Sequence, residues 1–93
     1  MQIQHQEEEN KGRFFVDENP GTRAELAYRI SSPLKLIIEH TEVDDSISGK
    51  GVGKQLVEAT VDHARSNKLK IIPACSFAKA LFDKMPEWKD VLA

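Results

Sequence analysis

A change of hydrophobic period at a glycine-rich segment constrains this fold more than any other feature. The glycine-rich segment, residues 48–54, reads SGKGVGK and has glycine at alternate positions. Before it, apolar residues mostly alternate with polar ones, as in β-strands. After it, they recur every three or four residues, as in an amphipathic helix. The sequence therefore predicts an α+β domain, with strands before the glycine-rich segment and mainly helices after it.

The N-terminal half is predicted to form an antiparallel meander of strands. The connections are short and contain Pro, Gly or Ser, which favours pairing between neighbouring strands. In the last strand, strict alternation places His40 on the same face as Leu36 and Ile38. Thr41 then falls on the opposite face. The predicted strands are residues 3–8, 13–17, 23–30 and 35–43, with turns at 18–21 and 31–33.

The C-terminal half is predicted to form a helix, a strand and a helix. Apolar residues recur at helical spacing over 52–66, and polar residues occupy the opposite side. Asn67 is expected to end this helix in a left-handed conformation, and a short strand follows at 69–75. Ser76 is expected to cap a final helix that runs to Lys84. The apolar stripe of the first helix consists of Val52, Leu56, Val57, Val61 and Ala64.

Composition limits the classes of protein to which the chain can belong. Its 93 residues suit one domain, and its content of 40% hydrophobic and 30% charged residues is typical of a soluble globular protein. A formal charge of −2 gives no basic footprint for nucleic acid. No apolar stretch is long enough for a membrane span, and the acidic N-terminus lacks the apolar core of a secretory signal. One cysteine suits a reducing compartment. We therefore expect a single domain over residues 1–93, cytoplasmic, monomeric or weakly dimeric, with no nucleic-acid or membrane partner.

Three phosphate-binding motifs are candidates for the glycine-rich segment. A Walker loop requires Ser or Thr after its Gly-Lys, but Gln55 follows Gly53 and Lys54, which excludes it. A Rossmann fingerprint requires G-x-G-x-x-G and a later acidic residue, whereas Lys70 and Ile71 stand where that acid should be. The third candidate is the pyrophosphate loop of acyl-coenzyme A enzymes. The structural alternative is that the glycines only form a flexible turn.

The glycine-rich segment resembles the pyrophosphate loop of the GNAT superfamily of N-acetyltransferases. The family pattern is Arg or Gln, two residues, Gly, one residue, then Gly or Ala, between a fourth strand and a long helix. Gly51 and Gly53 match it, Lys50 and Lys54 lie alongside, and Ser48 stands in place of Arg or Gln. Free amides at a helix start, together with the positive end of the helix dipole, suit a pyrophosphate.

Two short motifs narrow the resemblance to a compact, single-domain GNAT-like subfamily. They are E-H-T at 39–41, near the end of strand four, and C-S-F at 75–77, after strand five. The resemblance implies that strands four and five are parallel and adjacent. The chain departs from the full fold because it lacks two helices between the first strands and two C-terminal strands, which normally build the acceptor site. Phe82 also replaces the Tyr that many members use as a general acid.

The resemblance implies an enzyme that moves an acetyl group from acetyl-CoA to an amine that the sequence does not identify. The alternatives are a module that binds coenzyme A or acyl-CoA with little turnover, and a small interaction protein that has lost the ligand. The pyrophosphate would lie on the glycine-rich segment and the pantetheine along residues 41–43. The implied cofactor-binding residues are Thr41, Glu42, Val43, Ser48, Gly49, Lys50, Gly51, Val52, Gly53 and Lys54.

Cys75 and His40 are the candidate catalytic residues. If strands four and five are parallel, both lie toward the strand ends where the thioester arrives, and the helix that begins near Ser76 favours a thiolate. Cys75 would take the acetyl group before passing it on, with His40 as base. The alternatives are a packing cysteine and a hydrogen-bonded core histidine. No spacing of His, Cys and acidic residues suggests a metal site, and His5 and His63 are predicted to be surface residues.

Overall fold

The computed structural model describes residues 2–19 and 22–93, and its elements follow the predicted order. The predicted turn at 18–21 includes two residues, 20 and 21, that lie outside the described residues. No helix in the described ranges is long and apolar enough to cross a membrane. The strands are β1 (Gln4–Glu8), β2 (Lys11–Asn19), β3 (Thr22–Ser32), β4 (Lys35–Val43) and β5 (Lys70–Pro73), and the helices are α1 (Val52–Asn67) and α2 (Ser76–Lys84). Short 3₁₀ helices cover Asp45–Ile47 and Pro86–Val91.

The strands form one mixed sheet in the order β1-β2-β3-β4-β5. The first four strands pair antiparallel with their neighbours, and β5 pairs parallel with β4. Parallel strands require a long crossover connection, and α1 supplies it. The predicted α+β architecture is therefore confirmed: an antiparallel meander is followed by helix, strand and helix, with strands four and five parallel.

One face of the sheet, the helix face, carries all the buried side chains of the described strands. On this face Phe14 and Leu26 are cross-strand partners, and the helices cover them. α1 buries its predicted apolar stripe here, and Leu56 and Val61 are each 0% exposed. Burying one such side chain contributes roughly 1.5–3 kcal/mol to folding. The hydrophobic period of the sequence therefore correctly predicted which side of α1 is buried.

The opposite face of the sheet, the open face, carries only half-buried or exposed side chains among the described residues. At its centre Arg13 donates to the Glu25 carboxylate at 2.8 Å. The Arg13 guanidinium also lies 3.9 Å from the centre of the Phe15 ring. No helix within residues 2–19 and 22–93 covers this face, so it is accessible to a molecule in solution.

The C-terminal segment Pro86–Val91 contacts both helices. Trp88 is buried, and its ring packs edge-on against Phe82 of α2 with centroids 5.4 Å apart. Arg65 of α1 donates to both carboxylate oxygens of Asp90, at 2.8 and 2.9 Å. Hydrogen bonding from Arg65 holds the pKa of Asp90 below its usual range. This segment therefore closes the end of the core that lies beside β5.

The end of α1 differs by one residue from the prediction. Asn67 is still helical, because its side-chain amide donates to the His63 carbonyl at 2.8 Å, one turn back. The left-handed residue is Lys68, with φ of 58°. The strand predicted at 69–75 is shorter, since its pairing with β4 spans only Lys70–Pro73.

Candidate functional site

Two glycines of the glycine-rich segment turn the chain from the 3₁₀ helix Asp45–Ile47 into α1. Gly49 and Gly51 have φ of +82° and +78°, in the left-handed region that costs other L-residues roughly 1–2 kcal/mol. A Cβ built on either one meets no atom within 4 Å. Backbone conformation, rather than crowding, therefore requires glycine at these two positions.

Gly53 has a different role, because its missing side chain makes room for Phe77. A Cβ at position 53 would lie 2.5 Å from Cζ of that ring. Gly53 is in the first turn of α1 and Phe77 is in the first turn of α2, so the contact joins the starts of the two helices. Two glycines match the family pattern. The left-handed backbone requires glycine at position 51, and the packing of Phe77 requires it at position 53.

The Gly53–Phe77 contact predicts strong coupling between substitutions at the two positions. Gly53→Ala should be less favourable by about 1 kcal/mol or more in the wild-type chain than in a Phe77→Ala chain. With the ring present, the new methyl group forces it out of place. Without the ring, Ala gains up to about 1 kcal/mol of helix propensity over Gly. Urea unfolding of all four chains measures this difference, and equal effects in both backgrounds would contradict the contact.

The glycine-rich segment lines a surface cavity of about 320 Å³ beside the starts of α1 and α2. All the predicted cofactor-binding residues line it except Thr41, Glu42 and Lys50. Phe77 and Leu81 also line it, although they were not predicted to be binding residues. The C-S-F motif contained Phe77, but the sequence alone did not indicate the direction of its ring. The cavity residues are Val43, Ser48, Gly49, Gly51, Val52, Gly53, Lys54, Phe77 and Leu81.

The electrostatics of this cavity favour an anion. Gln55 donates its N–H to the Gly51 carbonyl at 3.0 Å, and the amides that precede it belong to the helix start, where no intrahelical acceptor exists. The first turn of α1 contains no acidic residue, and Lys54 lies in it. Two acids lie at the preceding 3₁₀ helix, Asp44 at its N-cap and Asp45 in its first turn, and neither lines the cavity. The Asp44 carboxylate accepts the Ser46 N–H at 2.9 Å, which lowers its pKa.

β4 continues for five residues beyond its pairing with β5, which leaves an opening that we call the strand gap. The pairing ends at Ile38 and Pro73. The Ala74 N–H still reaches the Ile38 carbonyl at 3.1 Å, and the chain then turns into α2. Residues 39–43 have no β5 partner in the described chain, so the backbone of β4 presents a strand edge there. Val43, at the end of this edge, also lines the cavity.

A bulge in β4 reverses the predicted faces of His40 and Thr41. Consecutive residues of β3 pair with Ile38 and His40, so Glu39 is an extra residue in the ladder. His40 therefore lies on the open face with 51% of its side chain exposed. Thr41 lies on the helix face. The prediction that His40 shares a face with Ile38 is wrong. It assumed that side chains alternate without interruption along β4, and the extra residue Glu39 breaks that alternation.

Cys75 and His40 have separate partners. The Cys75 Sγ accepts the Ala78 N–H at 3.4 Å and lies 3.6 Å from the Thr41 hydroxyl. Cys75, rather than the predicted Ser76, is thus the N-cap of α2, because its sulfur reaches the free amide. The structure does not bring the Cys75 thiol and the His40 imidazole together as a pair.

His40 instead belongs to a charged row on the open face. Its Nε2 lies 3.6 Å from one oxygen of Glu25, whose other oxygen accepts from Arg13. A neighbouring depression of about 290 Å³ is lined in part by Arg13, Glu25 and Glu42. This row places the His40 imidazole beside a carboxylate on the face that is open to solution. Arg13 and Glu25 were not predicted to be site residues, although both alternate outward in their strands.

The site lies within the part of the chain that matches known proteins. A family model described as GCN5-related N-acetyl-transferase matches residues 13–91. The chain is also similar to a GCN5-like candidate N-acetyltransferase from Staphylococcus aureus, whose structure was determined by NMR in solution. The two chains are 43% identical, with 97% of this chain and 87% of that chain covered and a TM-score of 0.72. The family match includes the glycine-rich segment, the strand gap and Cys75.

Proposed function

Because the chain belongs to the GCN5-related N-acetyltransferase family, we propose that it transfers the acetyl group of acetyl-CoA to the nitrogen of an amine. Membership of the family supports an acetyltransferase, to which we add the donor, the acceptor class and the residues. The positions of the cavity and the strand gap support this proposal. The cavity, which favours an anion, meets the strand gap at Val43, and the gap leads to Cys75.

The glycine-rich segment holds the pyrophosphate of acetyl-CoA in this proposal. Gly49 and Gly51 have no side chains, and a Cβ on either would meet open space, so phosphate oxygens can approach the amides of the helix start. The helix dipole adds about half a positive charge there. Lys54, which lines the cavity, adds a positive side chain, and this offsets the Ser that stands where many relatives have Arg or Gln.

The strand edge at residues 41–43 holds the pantetheine arm. The arm contains amide groups, and an exposed strand edge binds an extended amide chain as an added strand. An arm that starts at the cavity and follows this edge carries its thioester toward Thr41 and Cys75, whose side chains lie 3.6 Å apart. Glu42 points to the open face and contributes its backbone to the edge.

Two routes of acetyl transfer fit these residues. In the first, the Cys75 thiolate attacks the thioester carbonyl, coenzyme A leaves as a thiolate, and an amine then attacks the acetyl group on Cys75. The Ala78 amide donates to this sulfur, and the Thr41 hydroxyl lies 3.6 Å from it. In the second, the amine attacks the thioester directly. His40 is the candidate base in both routes only for an amine that enters the strand gap from the open face, where Glu25 would offset the positive charge on the imidazole.

A module that binds acetyl-CoA with little turnover is a second candidate, and one observation favours it. Phe82, at the position where many relatives have the Tyr acid, is only 4% exposed and packs on Trp88. It supplies no hydroxyl group for the departing thiolate. Without that acid, departure of the coenzyme A thiolate is slower in either route, so bound acetyl-CoA persists with little turnover.

Calorimetric titration with acetyl-CoA, followed by an acetylation assay on a panel of primary amines, tests the proposal. We expect one acetyl-CoA per chain and mass gain on at least one amine. Binding without any amine product would favour the binding module. Absence of binding would reject both candidates and favour an interaction protein that has lost the ligand.

A further inference from the structure

Two histidines and a glutamate meet where β1 lies against α1. His5 and Glu7 are two residues apart in β1, so they point to the same side of the strand. His63 of α1 faces them, and its Nε2 lies 3.8 Å from Oε2 of Glu7. Ligand atoms of these three residues, the His–Glu cluster, all lie within 4.8 Å of one another. The cluster is about 16 Å along α1 from the glycine-rich segment.

Aromatic contacts hold both imidazole rings of the His–Glu cluster in place. The His5 ring stacks on Phe14 with centroids 4.2 Å apart and planes only 7° from parallel. His63 packs edge-on against both Phe14 and His5, at 5.8 and 4.8 Å. Its side chain is 19% exposed, so the prediction of a surface residue is wrong for His63. Little side-chain entropy is lost when rings already so restricted bind a ligand.

A buried tyrosine orients the carboxylate of the cluster. The Tyr28 hydroxyl donates to Oε2 of Glu7 at 2.8 Å and lies 2.6 Å from Nε2 of His5. Gly12 makes this reach possible, because a Cβ there would lie 2.5 Å from the Tyr28 oxygen. Carboxylates that bind metals are commonly held by such an outer hydrogen bond.

We propose that His5, Glu7 and His63 form a binding site for a divalent transition-metal ion of the Zn²⁺ type. Two imidazole nitrogens and a carboxylate oxygen are a ligand set that Zn²⁺ accepts, with water in the fourth position. Tetrahedral ligand atoms lie about 3.4 Å apart around a bond length of about 2.1 Å. The cluster must therefore close by about 1.4 Å.

The exposed strand β1 permits this closure. His5 and Glu7 lie on the edge strand, whose residues are all exposed. On metal binding, His5 gives up its contact with the Tyr28 hydroxyl, while Tyr28 keeps its bond to Glu7. The ion then links β1 directly to α1, so it binds the folded chain in preference to the unfolded one and stabilises it.

Zn²⁺ titration of the metal-free full chain by calorimetry tests the site. We expect one ion per chain in the wild type. His5→Gln, Glu7→Gln and His63→Gln should each weaken binding by at least about tenfold. His40→Gln is the matched control, since it also removes a histidine but from the open face, and it should bind like the wild type. Zn²⁺ should raise the thermal midpoint of the wild type and of His40→Gln but not of His63→Gln.

The proposal is overturned if the three cluster variants bind Zn²⁺ as tightly as the wild type, or if His40→Gln loses binding. A readout on the wild type keeps the test valid if a variant fails to fold. Zn²⁺ should shift the NMR ring signals of His5 and His63 and leave those of His40 in place. A shift at His40 alone, or no shift at any histidine, rejects the site. The experiment does not depend on acetyl transfer.

Discussion

Cys75→Ala is expected to lower acetyl transfer by about 1,000-fold or more while acetyl-CoA affinity changes by no more than a few fold. In the two-step route the sulfur forms the bond to the acetyl group, so its removal stops the first step. Binding depends instead on the glycine-rich segment and the edge of β4. Intact-protein mass spectrometry after mixing with acetyl-CoA should show an acetyl adduct on the wild type and none on the variant.

The capping role of Cys75 calls for a second variant. Alanine also removes the sulfur that accepts the Ala78 N–H, and loss of an N-cap costs roughly 0.5–2 kcal/mol of stability. Cys75→Ser keeps a side-chain cap but replaces the thiol by a poor nucleophile. It should therefore retain the stability of α2 and still lose the adduct and turnover.

Two outcomes would contradict the role proposed for Cys75. If both variants keep most of the turnover and the wild type shows no adduct, the amine attacks the thioester directly. If an adduct persists on Cys75→Ala, another residue carries the acetyl group. Neither outcome affects the placement of acetyl-CoA, which calorimetry measures separately.

Gly51→Asp is expected to weaken acetyl-CoA binding by about 100-fold. Gly51 lines the cavity, and a Cβ on it meets open space, so the new carboxylate would occupy the place proposed for the pyrophosphate. Like charges about 4 Å apart near a protein surface repel by about 4 kcal/mol, which is enough for this loss. Calorimetric titration of the folded variant measures the effect.

Gly51→Asn separates the charge from the conformation. Asn has nearly the shape of Asp and tolerates the left-handed backbone required at φ of +78°, but it carries no charge. It should bind acetyl-CoA within about tenfold of the wild type. Equal losses in both variants would mean that bulk or backbone strain is responsible. Unchanged affinity in a folded Gly51→Asp chain would reject the proposed position of the pyrophosphate.

The open face and its charged row emerge only from strand registry. Alternation along β4 was read correctly up to Ile38, because side chains alternate in any regular strand. The bulge at Glu39 places His40 on the open face and Thr41 on the helix face, which is the reverse of the prediction. A bulge depends on how two strands pair, and nothing in the local sequence of either strand specified it. The candidate base was thus identified from the sequence, but its partner Glu25 was not.

The glycine-rich segment shows both the reach and the limit of a local pattern. Its glycines predicted a phosphate-binding loop or a turn, and Gly49 and Gly51 do turn the chain, with positive φ values. The spacing of the glycines did not indicate that Gly53 makes room for Phe77, which lies on another helix. Conformational preference belongs to one residue and its neighbours, whereas packing depends on where distant elements dock.

By itself, the sequence determined the period change from strand to helix, the apolar stripe of α1 and the family to which the glycine-rich segment belongs. These features follow from backbone conformation and burial over a few consecutive residues. Only the tertiary structure brought His63 to His5 and Glu7, separated Cys75 from His40, and gave His40 its carboxylate partner. Such contacts join residues far apart in the chain, so they depend on strand registry and on the docking of α1 against the sheet, which no short segment specifies.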